Sequence, residues 1–282
     1  MVKGGQKFYN TKIIETATTK EIWQYEDKIS YSEDEFEDGC EIDLRKRLSK
    51  CKRRQYSEMT ALEQADSLKR KQKFYEQQRW VIARLVDNNF DGNTKFVTLT
   101  FKENIEDISI TNEEFKKFIK RLNYYLYKTK KQCIKYIATW EKQKRGAIHY
   151  HVIFFDFPYI KNKKLEEIWM HGFIRINKID VDSKENRGRY VSKYFGKDLD
   201  LKEHKKKAFF KSQNLKLPRI EKLVLKDDEI KKAWNDENIV FTKNYTRKIP
   251  DRKVLLGIDE KSGRKHYALK ESKVMYIKIQ KQ

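Results

Sequence analysis

The sequence predicts an α+β protein built around a central antiparallel sheet with its helices on one face, and three observations carry that expectation. Runs rich in β-branched and aromatic residues recur at 96–101, 134–141, 146–155 and 173–179. Segments of helical period lie between them. No helix-then-parallel-strand repeat intrudes, so strands and helices segregate into layers of one core.

Taken in order, the chain begins with a mixed segment at 1–44, which holds a possible short strand (Lys12–Glu15) and an acidic run from Glu33 to Asp43. A block of like charge reads as a solvated loop. From Leu44 to about Val86 the pattern is helical and strongly basic, with Arg45, Lys46, Arg47, Lys50, Lys52, Arg53 and Arg54 at its start and no Gly or Pro. The turn cluster Asn88–Asn93 marks a boundary. Phe96–Phe101 then alternates, with Val97, Leu99 and Phe101 on one face and Thr98 and Thr100 on the other. Thr111-Asn112-Glu113-Glu114 reads as a capping box opening a helix whose stripe is Phe115, Phe118, Ile119, Leu122 and Leu126. Ile134–Glu141 is a strand that turns near Arg145 into the strand Gly146–Phe155. A short helix (163–170), a strand (173–179) and a helix over 186–197 ended by Gly196 follow. These readings divide the chain into an N-terminal acidic loop and basic helical region at 1–92, a core domain at 93–200 and a lysine-rich extension at 201–282.

Composition narrows the partner. In 282 residues, 64 Lys plus Arg oppose 42 Asp plus Glu, a net charge of +22. That excess favours a polyanion, foremost nucleic acid, through phosphate neutralisation and counterion release. Cys40, Cys51 and Cys133 have neither disulfide-framework nor zinc-site spacing. The first residues lack a signal-peptide apolar run and no segment is apolar enough to span a membrane, so an intracellular location is expected.

The chemistry centres on His149-Tyr150-His151. On a strand the two imidazoles project to the same side, a ready divalent-metal site. If the hairpin folds about residue 145, Glu141 stands opposite His149 on that face. Two imidazoles and a carboxylate suit Mn²⁺ or Mg²⁺. Tyr190, Lys193 and Tyr194 share a helix face at i, i+3 and i+4, so an ammonium stands beside two phenols and favours the phenolate. Tyrosine, lysine and a divalent cation are the parts needed for covalent cleavage of a phosphodiester. Thr98, Thr100 and Arg145, with Arg47, Arg53 and Arg54 of the basic segment, are the expected DNA contacts.

Thr98-Leu99-Thr100, His149-Tyr150-His151 and Tyr190-Val191-Ser192-Lys193-Tyr194 resemble the three ordered motifs of the HUH endonucleases, specifically the rolling-circle replication initiators of small plasmids and single-stranded DNA phages. The resemblance covers about Phe96–Lys197. It implies a ferredoxin-like (RRM-like) nuclease sheet with the histidines at its centre. It implies metal-dependent nicking and rejoining of single-stranded or hairpin origin DNA through a 5′-phosphotyrosine in the cytoplasm of a bacterial host. Members carry one active tyrosine or two, so Tyr190 and Tyr194 inherit the role jointly. No Gly-x4-Gly-Lys-Ser/Thr loop occurs, so unwinding falls to a host helicase and synthesis to a host polymerase. Asn214–Pro218 resembles a segment that follows the tyrosine helix in phage-type initiators. Two other readings stay open: a transposase or relaxase of the same chemistry, and a DNA-binding regulator that kept the fold and lost the activity.

Overall fold

The structure is a computed structural model that describes residues 7–31, 59–143, 146–178, 209–226, 238–258 and 265–281. It is α+β with antiparallel sheets, and the chain divides into two compact units, Met1–Lys50 with Pro218–Gln282, and Cys51–Leu217. In chain order the described elements are β1 (Lys7–Glu15), β2 (Thr19–Tyr31), α1 (Ala61–Asn89), β3 (Lys95–Thr100), α2 (Ile108–Tyr127), β4 (Lys135–Lys142), β5 (Ile148–Phe155), α3 (Asn162–Trp169), β6 (Ile174–Lys178), β7 (Phe210–Lys211), β8 (Arg219–Leu223), β9 (Ile239–Ile258) and β10 (Lys265–Gln280).

The central unit is an antiparallel sheet in the order β6-β3-β5-β4-β7. Its middle strand, β5, sends Ile148, Tyr150, Val152 and Phe154 to one face, where they join Phe115, Phe118 and Leu122 of α2 and Leu165 and Trp169 of α3 in the larger core. Tyr150 stacks on Phe115 with ring centroids 4.7 Å apart and planes at 4°. Its hydroxyl donates to Asn112 Oδ1 at 2.7 Å. Phe115 is 2% exposed, so Phe115→Ala should cost about 3–5 kcal/mol. Urea unfolding followed by circular dichroism checks this; a loss near zero would mean that α2 is not held through this ring.

The other face carries Ile153 and Phe155 of β5 with Phe96 and Ile137, covered by Ile82, Leu85 and Val86 of α1. The turn cluster read as a boundary at 88–93 therefore separates nothing: α1 belongs to the same unit as the sheet. Asn89 ties its end down, donating from Nδ2 to the Lys216 carbonyl (2.9 Å) and accepting from the Lys216 N–H (2.8 Å). Asn214–Pro218 thus serves to anchor α1, with Leu215 buried beneath it. A further difference concerns α2, which starts at Ile108 and not at the expected capping box. Asp107 is the N-cap, accepting from Ser109 N at 2.7 Å. Thr111 is fully buried and donates to the Ile108 carbonyl instead, in the manner of a residue inside the first turn.

The other unit joins the two ends of the sequence in a sheet of order β8-β1-β2-β10-β9. In this unit the N-terminal segment is a hairpin of two strands, more than the single short strand expected, and the lysine-rich extension supplies the other three. Ile22, Ile277 and Ile279 form its small apolar cluster. Pairing between β2 and β10 spans only Val274–Gln280. Among the described residues, the remaining length of β9 and β10 is a two-stranded ribbon, with irregular register where Ala268 opposes Asp251 and Tyr267 opposes Leu255. No described helix in either unit is long and apolar enough to cross a membrane.

Candidate metal and phosphate site on the central sheet

The face of the central sheet that α1 covers at one end changes character at the other. Alternation along β5 puts His149 and His151 on the same side as Ile153 and Phe155, so the strand runs from an apolar half to a polar half without changing face. The turn that returns β4 into β5 holds this register. Gln143 N–H donates to the Ala147 carbonyl (2.9 Å), and Gly146 sits at φ 90°, a left-handed conformation that side-chain-bearing residues rarely adopt. As a result Glu141 opposes His149 and Thr139 opposes His151. On the other flank Thr100 opposes His149 and Thr98 opposes His151.

His151 is held at both ring nitrogens. Nδ1 shares a hydrogen bond with Thr98 Oγ1 (3.2 Å), and Nε2 shares one with Glu141 Oε2 (2.7 Å). Phe96 stacks on the ring, with centroids 5.6 Å apart and planes at 19°. In the tautomer protonated at Nδ1, the ring donates to Thr98 and its Nε2 lone pair faces Glu141, the arrangement in which a hydroxyl fixes a metal-ligating imidazole. The His151 and Glu141 side chains are 16% and 36% exposed, open enough to meet a ligand. His149, more deeply set at 9%, stands beside them.

The donor set fits a divalent ion. Two ligands of an octahedral ion at Mg²⁺-like bond lengths lie roughly 3 Å apart, close to the 2.7 Å between His151 Nε2 and Glu141 Oε2. Among the described residues no three His, Cys, Asp or Glu side chains are already gathered as a metal cluster. The close pair is therefore His151 with Glu141, and His149 is the neighbouring imidazole on the same face.

Three further residues of this face do not stand out in the sequence. Phe96 and Thr139 follow from strand alternation, each two positions from a residue already assigned to the face. Arg175 is less obvious: it is exposed on β6 and opposes Thr98, so the row across the sheet reads Arg175, Thr98, His151, Thr139. A guanidinium there suits a phosphate oxygen. Tyr150 is not a candidate nucleophile, because it lies in the core and burial raises its phenol well above the ordinary range. His171 lies apart from the site, with Nε2 2.9 Å from Glu114 Oε2 and its ring against Phe101 and Trp169. Tyr190, Lys193, Tyr194, Arg145, Arg47, Arg53 and Arg54 lie outside the described residues.

Gly172 supports the end of β3 from below. A Cβ at this position would lie 2.4 Å from the Thr100 carbonyl oxygen, so only glycine permits the approach. The Trp169 Nε1–H donates to that same oxygen at 3.0 Å.

Residues 94–199 match the family model for the replication-associated protein ORF2. The chain is 28% identical over 146 residues to the Phasyl DNA replicon protein arp of Escherichia coli, an alignment covering 43% of this chain and 49% of that relative. The chain spans about half the length of the curated relative it matches. No solved structure matches it.

Proposed function

We propose that this protein is a replication initiator that nicks and rejoins single-stranded origin DNA through a covalent tyrosine intermediate. The observation that carries the reading is the polar half of the central sheet face, where Glu141, His149, His151, Thr98 and Arg175 share one surface. That surface lies within residues 94–199, the stretch similar to a replication-associated family, and the similar E. coli protein is named for a replicon. The chain's charge of +22 suits a nucleic-acid substrate.

On this reading His149, His151 and Glu141 hold Mg²⁺ or Mn²⁺, which would supply Lewis-acid polarisation of the scissile phosphate. Arg175 and Thr98 position a neighbouring phosphate. A tyrosine of the Tyr190/Tyr194 pair loses its phenolic proton to solvent, with the Lys193 ammonium favouring the anion. The phenolate oxygen forms a bond to phosphorus as the P–O3′ bond breaks. The departing 3′ oxygen takes up a proton and becomes the free 3′-OH that a host polymerase extends, while a host helicase unwinds the duplex. Rejoining is the reverse attack by a 3′-OH, which releases the tyrosine.

The test uses single-stranded oligonucleotides tiling the DNA beside the encoding gene, incubated with the full chain and Mn²⁺ and run on a denaturing gel. One oligonucleotide should give a protein–DNA adduct and a shorter fragment with a free 3′-OH, both lost in chelator. Tight binding of every oligonucleotide with no cleavage of any would instead identify a DNA-binding regulator.

A further inference from the structure

We propose that the β9–β10 ribbon is a second nucleic-acid-binding element, an arm that lies in a groove of duplex DNA. The inference rests on the reading above only for DNA being the polyanion; it adds duplex as the form bound here. Charge is the first support. Across Ile239–Ile258 and Lys265–Gln280, nine Lys or Arg stand against two acids, Asp251 and Glu271. Glu271 opposes Lys248 across the ribbon. Asp251 accepts from the Lys253 backbone N–H (3.1 Å), and Lys270 is engaged by Asp27 (2.6 Å). The side chains of Lys248, Lys253 and Lys273 are exposed.

Exposure is the second. Residues 253–258 are all exposed, although alternate positions on a strand point to opposite faces, so neither face of this stretch is covered by a described residue. The apolar side chains share in this: Leu255 is 49% exposed, Leu256 70%, Ile258 54% and Leu269 65%. A two-stranded ribbon is at best marginally stable in water, so an arm of this kind gains by lying against a partner.

Shape selects which partner. The stretch facing Lys265–Lys273 is roughly 30 Å long at about 3.3 Å per residue, and a two-stranded ribbon fits the major groove of B-DNA. There the lysines reach flanking phosphates while Leu255 and Leu256 meet base edges and thymine methyl groups. A second copy of the chain is the poorer occupant. Pairing two β9 edges would set cationic rows against each other, a destabilising arrangement on adjacent strands.

The experiment compares a blunt duplex with a single-stranded oligonucleotide, using the full chain in a salt titration. K248Q/K253Q/K273Q should bind duplex roughly ten- to a hundred-fold more weakly near 0.1 M salt, with the slope of log affinity against log salt shallower by about 2–3. Glu271→Gln should tighten duplex binding, a gain that misfolding cannot produce. In the unaltered chain, duplex should slow amide exchange across 246–258 and 265–273. An unchanged affinity and slope in the triple variant, or no protection of the arm, overturns the proposal. So does a dimer abolished by L255S/L256S while duplex affinity stays the same, which assigns the arm to a second copy. Nicking of single-stranded DNA is a separate readout: if it is absent while the arm behaves as described, the nuclease reading fails and the arm stands.

Discussion

Replacing His149 and His151 together by alanine should lower nicking by about four orders of magnitude or more, as expected when groups that act as a unit are removed, and leave DNA affinity within a few-fold. Affinity arises from the basic surface, not from two imidazoles on one sheet face. Chelation of the unaltered protein should give the same loss, reversed by adding Mn²⁺ or Mg²⁺. Thr98→Val provides the graded companion. It removes the hydroxyl bonded to His151 Nδ1 (3.2 Å) and should raise the Mn²⁺ concentration for half-maximal nicking about 10- to 100-fold, with the rate at saturating metal largely kept. A Mn²⁺ titration of each variant checks both. Full activity of the double alanine variant in chelator would exclude a metal on this face.

Removing both phenols should have an effect of similar size. Tyr190→Phe and Tyr194→Phe are each expected to retain nicking, and the double variant none that a denaturing gel can detect. One nucleophile opens an origin once; it is then bonded to the 5′ end and cannot attack the regenerated origin. A second phenol one helical turn away can make that attack, so each single variant should complete a first nick and fail to release circles over repeated rounds. A single variant that turns over fully beside a partner variant that is dead would show that only one tyrosine reacts. Lys193→Ala should slow both attacks, through weaker stabilisation of the phenolate.

Much of the central sheet was legible because its signals are local. Alternation in Phe96–Phe101 and in the histidine strand fixes which side chains share a face, and a tight turn near residue 145 is enough to place Glu141 opposite His149. Where two local signals competed, the sequence was ambiguous. Thr111 and Asp107 both look like caps for α2, and the structure uses Asp107 because a core apolar position, Ile108, already lies inside the helix. Arg175 was illegible as a site residue, since its row is defined by β6 pairing with β3, and one exposed Arg among many carries no mark of register. The division into units was hidden for the same reason on a larger scale. Asn89 contacts Lys216, and Gln24 pairs with Met275; separations of that size leave no periodicity to read.

That last pairing has a consequence for how the protein is made. The central unit is complete in sequence once residue 217 has left the ribosome, whereas β2 acquires its β10 neighbour only after residue 274. At about 5–20 residues per second of synthesis, the β1–β2 hairpin waits roughly ten to fifty seconds with one edge unpaired. An unpaired edge is a site of aggregation, and closing so distant a pair carries a large loop entropy, which slows folding. The central sheet can therefore fold as it emerges, while the sheet that joins the chain's two ends forms last.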